Sequence, residues 1–300
     1  MRVSNLQMQQ QGIDAMLDRS AALAKTQLQL ATGRRMVRPS DDPVGATKVL
    51  PLRELMERIK QFSKNSDSAE SRLSLGESAL TGATNVLARV MELTVQANSD
   101  SVGAQDRISI AKELRENLAE IMALANTTDS NGEHLFAGDN VNTVPFTETP
   151  AGTFNYTGDN GQRNVQIGED RQIAVGDPGD DVFMNITFSG GGTQSMFKTV
   201  YDYIIDLESN TTSAVILDDL QAAHENILSV RSALGARFNA IESHREFNDE
   251  LVNQSQQTLS GIEDLDMAEA ISRLNVQLLG LQASQQAFAQ IQNLSLFNYL

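Results

Sequence analysis

Residues 266–300, DMAEAISRLNVQLLGLQASQQAFAQIQNLSLFNYL, are the stretch whose reading decides the fold. Ile271, Leu274, Leu278, Leu281, Phe288, Ile291 and Leu294 recur at alternating spacings of three and four, the signature of one narrow helical stripe. Asp266 followed by Glu269 gives that helix a capping-box start. After Arg273 no charged side chain occurs, and the polar positions through Tyr299 are Asn, Gln, Ser or Tyr. A bilayer span needs about twenty predominantly apolar residues, and Gln277, Gln282, Gln285, Gln286, Gln290 and Gln292 break any such run, so no membrane span is expected. Burial in the chain's own core is also disfavoured, because each unpaired buried amide costs roughly 1–3 kcal/mol. The remaining reading is a surface that packs against copies of itself or against neighbouring subunits.

Working outward, residues 5–31 read as a second glutamine-rich helix, with Met8, Ile13, Met16, Leu17, Ala21, Ala24 and Leu28 forming a weak stripe. Gly33 suits a helix C-terminus. Pro39-Ser-Asp-Asp-Pro43 then bends the chain and starts again, with Asp42 as N-cap and Pro43 in the first turn. From Val44 a helical pattern runs to about Asn98, weakened at Pro51. Leu73, Leu80 and Leu87 sit at seven-residue intervals, with Ala69, Gly76, Ala83 and Val90 between them, which predicts a coiled-coil seam closely approached by another helix. A turn at Asn98–Gly103 leads to a second stripe, Ala111, Leu114, Leu118, Ile121 and Ala125, and hence to an antiparallel helical hairpin.

Composition changes at Asn126–Gly132. From Gly138 to about Gly192 the chain is rich in Gly, Thr, Asn and Asp, with alternating apolar pairs Phe154/Tyr156, Val165/Ile167 and Ile173/Val175 and a run from Phe183 that predict strands. Asn160-Gly161 predicts a hairpin turn and Asp177-Pro-Gly179 a second turn; Gly190–Gly192 reads as a hinge. Helix returns near Ser195, and a long helix spans roughly Thr212 to Leu259, ended by Gly261 and Asp264. The expected fold is mainly α with an inserted small β domain, a long antiparallel helical bundle or coiled coil, and paired N- and C-terminal helices. Its expected parts are a terminal assembly domain (1–42 plus 262–300), a bundle (43–138 plus 193–261) and a β insert (139–192).

The chain of 300 residues has no cysteine or tryptophan, which excludes a disulfide framework, a thiolate metal site and a cysteine nucleophile. Net charge is −16. The first sixty residues hold ten basic against six acidic side chains, net +4, leaving −20 on the rest, so nucleic-acid binding is disfavoured. His134, His224 and His244 are far apart and lack zinc spacing. The acidic turns at 158–161 and 177–181 lack EF-hand spacing. No catalytic residue, cofactor or metal is expected. Residues 1–8 show no apolar signal-peptide core.

Several stretches together resemble the flagellin superfamily. They are Met1-Arg-Val-Ser-Asn-Leu-Gln-Met8, Thr32-Gly-Arg-Arg35 followed by Pro39-Ser-Asp-Asp-Pro-Val44, Asn131-Gly-Glu-His-Leu-Phe-Ala-Gly138, Ala268–Leu274 and Ser295-Leu-Phe-Asn-Tyr-Leu300. The two ends resemble the superfamily's hook-filament junction branch; bulk filament flagellin is the alternative. The resemblance implies a non-enzymatic, extracellular structural protein that leaves the cell unfolded through the flagellar type III apparatus, without a cleaved signal peptide. Implied partners are a cytoplasmic export chaperone, other copies in a ring, the first hook-associated protein and flagellin. The expected assembly interface comprises Met8, Ile13, Leu17, Leu28, Ile271, Leu274, Leu278, Leu281, Phe288, Ile291 and Leu294, with Gly33, Asp41, Asp42 and Pro43 forming the bend.

Overall fold

A computed structural model describes residues 5–150, 152–188 and 191–297; the side chains of 5, 6, 8, 9 and 291–297 fall outside the description. Its helices are α1 (Asn5–Thr32), α2 (Pro43–Ala97), α3 (Ala104–Ala125), α4 (Met196–Glu208), α5 (Ile216–Glu263) and α6 (Met267–Phe297). Between α3 and α4 lie three antiparallel two-stranded ribbons: β1 (Phe146–Glu148) with β2 (Phe154–Tyr156), β3 (Asn164–Gln166) with β4 (Gln172–Ala174), and β5 (Ile186–Thr187) with β6 (Thr193–Gln194). The chain divides into two compact units, residues 1–58 with 250–300 and residues 59–249, and α2 and α5 contribute to both.

In the 59–249 unit the heptad residues do what their spacing predicts. Ala69, Leu73, Leu80, Ala83, Leu87 and Val90 of α2 are all 0–1% exposed, and Gly76 is buried with them. Each fully buried large side chain of this seam contributes about 1.5–3 kcal/mol. The small residues let other helices close in: α3 contributes Ala111, Leu114, Leu118, Ile121 and Ala125, and α5 contributes Leu220, Ala223, Ile227, Leu234 and Ile241. Ion pairs from Arg231 to Glu77 (2.7 Å) and from Arg245 to Glu70 (2.7 Å) give the antiparallel sense of α2 and α5, since numbers rise on one helix as they fall on the other. Arg89 and Glu113 (2.7 Å) join α2 to α3. Ser195 caps α4 by accepting from the Lys198 N–H, and the Tyr203 hydroxyl of α4 donates to Asn98 Oδ1 (3.0 Å). α2 runs through Pro51 without interruption.

The region between α3 and α4 corrects several sequence expectations. Asn160-Gly161 does not turn a hairpin. It joins β2 to β3, which pair with β1 and β4 instead, and Asp159 Oδ1 accepts from the Gly161 and Asp139 N–H groups to hold the connection. Phe183 starts no strand: Asp180–Met184 is a single π-helical turn. Its ring is fully buried, stacked on Phe197 and edge-on to Phe136 and Phe146, so aromatic packing overrides the local β pattern. Gly191 and Gly192, at φ of +78° and +100°, turn the β5–β6 ribbon, which replaces the expected hinge; Gly190 lies outside the described residues. α5 begins at Ile216 and passes through Gly261 to Glu263 before it stops.

Candidate functional site

With no catalytic constellation indicated by the sequence, the candidate surface is the pair formed by α1 and α6. Its geometry follows from two contacts. The Arg19 guanidinium donates to the Gly280 carbonyl (2.8 Å), and a Cβ added to Gly12 would stand 3.1 Å from the Phe288 ring. A residue i on α1 therefore lies opposite about 300 − i on α6, so the helices run antiparallel.

Apart from Gln29, which donates to the Arg35 carbonyl (2.6 Å), and Gly280 beneath Arg19, the half-buried and buried positions fall into two seams with seven-residue repeats. On α1 they are Gly12, Met16, Leu23, Thr26 and Leu30, in step with Arg19; on α6 they are Ala270, Leu274, Gln277, Leu281, Ser284 and Phe288. Leu274, Leu281 and Phe288, expected at the interface, thus lie in the seam between the two helices. Ile271 (49% exposed) and Leu278 (38%) lie beside that seam and stay open. Ile13, Leu17 and Leu28 of α1 project away from α6, with Leu17 62% exposed. Val276 and Leu279 are 70% and 72% exposed on further sides of α6. α6 consequently carries apolar side chains among its amides on every side, the pattern of a helix built to be surrounded. Met8, Ile291 and Leu294 have side chains outside the described residues.

The sequence pattern did not place Ala270, Gln277 and Ser284 in the seam. Their signal was present as a heptad row of small or polar residues sharing Leu274, Leu281 and Phe288 with the larger row. Small side chains win the inner position because they let α1 approach. One consequence is an imperfect seam: Gln277 Oε1 is buried without a partner, whereas the buried Thr26 hydroxyl is satisfied by the Ala22 carbonyl (3.1 Å).

Where the terminal helices meet the rest of their unit, the two bends are clasped together. Gly33 ends α1 at φ +68°, and its carbonyl accepts from the Leu265 N–H (3.0 Å) while the Arg35 N–H donates to the Glu263 carbonyl (2.7 Å). Both carboxylate oxygens of Glu263, 7% exposed, accept from the single Arg53 Nη2, at 2.6 and 2.8 Å. Asp41 accepts from the Arg38 N–H (2.9 Å) and pairs with Lys25 (2.8 Å). The Lys25 hydrogen bond, with the Arg38 and Val37 amides, holds the Asp41 carboxyl below the usual range. Asp42 Oδ1 accepts from the Gly45 N–H (2.9 Å) to cap α2, with Pro43 its first residue. Asp266 caps α6 through the Ala268 and Glu269 amides, at 2.9 and 3.0 Å. The return arm of the expected capping box is absent: Glu269 pairs with Arg273 (2.6 Å) instead.

Among the described residues no helix is long and apolar enough to cross a membrane. The histidines stay separate: His134 Nδ1 lies 2.9 Å from the Asn126 carbonyl, and His244 stacks on Phe247.

Comparison with known proteins assigns this architecture. The bacterial flagellin N-terminal helical region matches residues 3–141, and the bacterial flagellin C-terminal helical region matches residues 217–300. Flagellar hook-associated protein 3 of Escherichia coli (strain K12) is 32% identical over 317 residues, covering 99% of each chain. The protein of that name from Salmonella typhimurium is 27% identical, again over 99% of each. The crystal structure of flagellar hook associated protein-3 from Legionella pneumophila superposes with a TM-score of 0.66 at 24% identity, over 71% of this chain and 98% of that one, which supports the fold. On the strength of the full-length match and the two helical regions, the chain belongs to the flagellin family, in its hook-associated protein 3 branch, and is a non-enzymatic structural protein of the flagellar hook-filament junction.

Proposed function

We propose that the chain is an adaptor that joins the hook to the filament through its terminal helices. The observation that carries this reading is the apolar surface left on α1 and α6 after they have paired: Leu17, Val276 and Leu279 remain 62%, 70% and 72% exposed. Surfaces of this kind mark interaction sites. Residues 1–42 with 262–300 act as the assembly domain. Residues 43–138 with 193–261 act as its bundle support and 139–192 as an insert. Ile13, Leu17, Leu28, Ile271 and Leu278 face neighbouring copies in a ring. Leu274, Leu281 and Phe288 hold the pair that presents them, and Gly33, Asp41, Asp42 and Pro43 set the bend. The ring contacts the first hook-associated protein on one side and flagellin on the other. Before export through the type III apparatus, a cytoplasmic chaperone covers the C-terminal helix, whose side chains without charge would otherwise be open to aggregation.

The test uses a chain lacking residues 1–42 and 262–300. It is expected to fold as a monomer and to leave filament growth unrestored in cells without the full-length protein. Normal filaments in those cells would overturn the reading. Growth of long filaments from the purified full-length protein alone would favour bulk flagellin behaviour instead.

A further inference from the structure

Layer by layer, the α1–α6 seam alternates in size. Extending the register fixed by Arg19 and Gly12 sets Gly12 against Phe288, Met16 against Ser284, Leu23 against Gln277, Thr26 against Leu274 and Leu30 against Ala270. Each layer joins a bulky side chain to a small or polar one. The alternation repeats every two layers, which is one heptad, so sliding one helix by seven residues preserves it. Such a slide moves the surfaces by about 10.5 Å and leaves ordinary seam packing nearly indifferent. Something else must choose the register.

We propose that two glycine notches, one on each helix, are the register keys of the terminal pair. Phe288 of α6 occupies the notch at Gly12, where a Cβ would meet the ring at 3.1 Å. Arg19 of α1 lies over the notch at Gly280, where a Cβ would stand 2.6 Å from its Nη1, and donates there to the backbone carbonyl. The keys point in opposite directions, so neither slide satisfies them. A slide that sets residue 12 opposite Leu281 brings Arg19 beside Arg273, like charge against like. The opposite slide drives Arg19 against the Phe288 ring. These are positioning residues: they fix how Leu17 and Leu28 of α1 are offset from Val276 and Leu279 of α6, and so define the composite surface offered to a neighbour. That consequence rests on the assembly reading above; the register itself does not.

The natural absence of cysteine permits a direct test on the full-length chain. Met16→Cys is combined in turn with Ser284→Cys, which reports the native register, and with Gln277→Cys or Ile291→Cys, which report a slide of one heptad either way. The parent sequence is expected to cross-link from 16 to 284, with at least tenfold lower yield at the other two. Adding Gly12→Phe and Arg19→Ala should raise a slid cross-link to at least the level of the native one. Exchanging the key, Gly12→Phe with Phe288→Gly, should restore 284 as the dominant partner. Three results would overturn the proposal: equal yields in the parent, continued linkage to 284 alone in the Gly12→Phe, Arg19→Ala chain, or loss of all three cross-links there, which would mean plain destabilisation. If the slid chain still restores full swimming, the keys stand and the assembly reading falls.

Discussion

The two helical seams of this protein follow the same heptad rule and reach opposite ends. In the 59–249 unit, Leu73, Leu80 and Leu87 are at most 1% exposed and are enclosed by Ala69, Gly76 and Ala83 and by the facing helices. In the terminal pair the inner row is half buried at most positions, with Thr26 and Ala270 the buried exceptions; it contains an unpartnered amide at Gln277 and leaves larger side chains outside. The difference teaches that spacing alone specifies a stripe and not its degree of closure. The first seam is complete within one chain, and the second has the character of one part of a larger core.

Removing a seam leucine should give the largest effect and the clearest contrast. Leu80→Ala should lower the unfolding free energy of the 59–249 unit by about 2–5 kcal/mol, read by chemical denaturation. Leu279→Ala, on the exposed side of α6, should change stability by less than about 0.5 kcal/mol while reducing swimming several-fold. A stability loss as large as that of Leu80→Ala would erase the distinction between the two regions.

Alkaline titration should also separate them. Burial pushes the Tyr203 hydroxyl in the 59–249 unit up to about 12 from 10.0. A raised folded value means that its contribution is fully present below pH 10 and is lost as pH rises through 12. Over that window Tyr203 should cost the unit about 2 kcal/mol, beside Tyr156, whose hydroxyl burial also pushes up to about 12, and Tyr203→Phe should make the slope shallower at a cost of about 1 kcal/mol near neutrality. An unchanged slope in Tyr203→Phe would assign the loss to another group.

Smaller effects probe the terminal pair itself. Gln277→Leu, which removes a buried amide oxygen without a partner, should tighten the pair by about 1 kcal/mol, visible as slower amide exchange in α1 and α6. Gln285→Glu sits on an exposed position and should leave exchange within about 0.5 kcal/mol of the parent while hindering assembly through repulsion between copies. Equal assembly by that variant would deny the amide face a role between subunits.

Much of this was legible in the sequence because helices announce themselves locally. The Leu73–Leu80–Leu87 spacing, the Asp42-Pro43 start, the Gly33 stop and the Asp266 cap each act within a turn or two, and each appears in the structure. Strand pairing is a choice among distant partners, so Asn160-Gly161 misled while the Thr149–Gly152 turn that joins β1 to β2 went unseen. In the terminal pair, Ile271 and Leu278 outweigh Ala270 and Gln277 by hydrophobicity, yet close approach of α1 selects the smaller row. The clasp between Arg53 and Glu263, 210 positions apart, leaves no local trace.

That clasp also has a kinetic meaning. Its bonds and the Arg19 contact link residues 210 to 261 positions apart, far beyond the separations within the α2–α3 hairpin. Contacts of such high sequence separation form late and slowly, and on the export route proposed above none can form until nearly the whole chain has emerged. The terminal pair is therefore the last part of the molecule able to fold, so a chain that emerges piecemeal cannot close its ends on each other before it is complete.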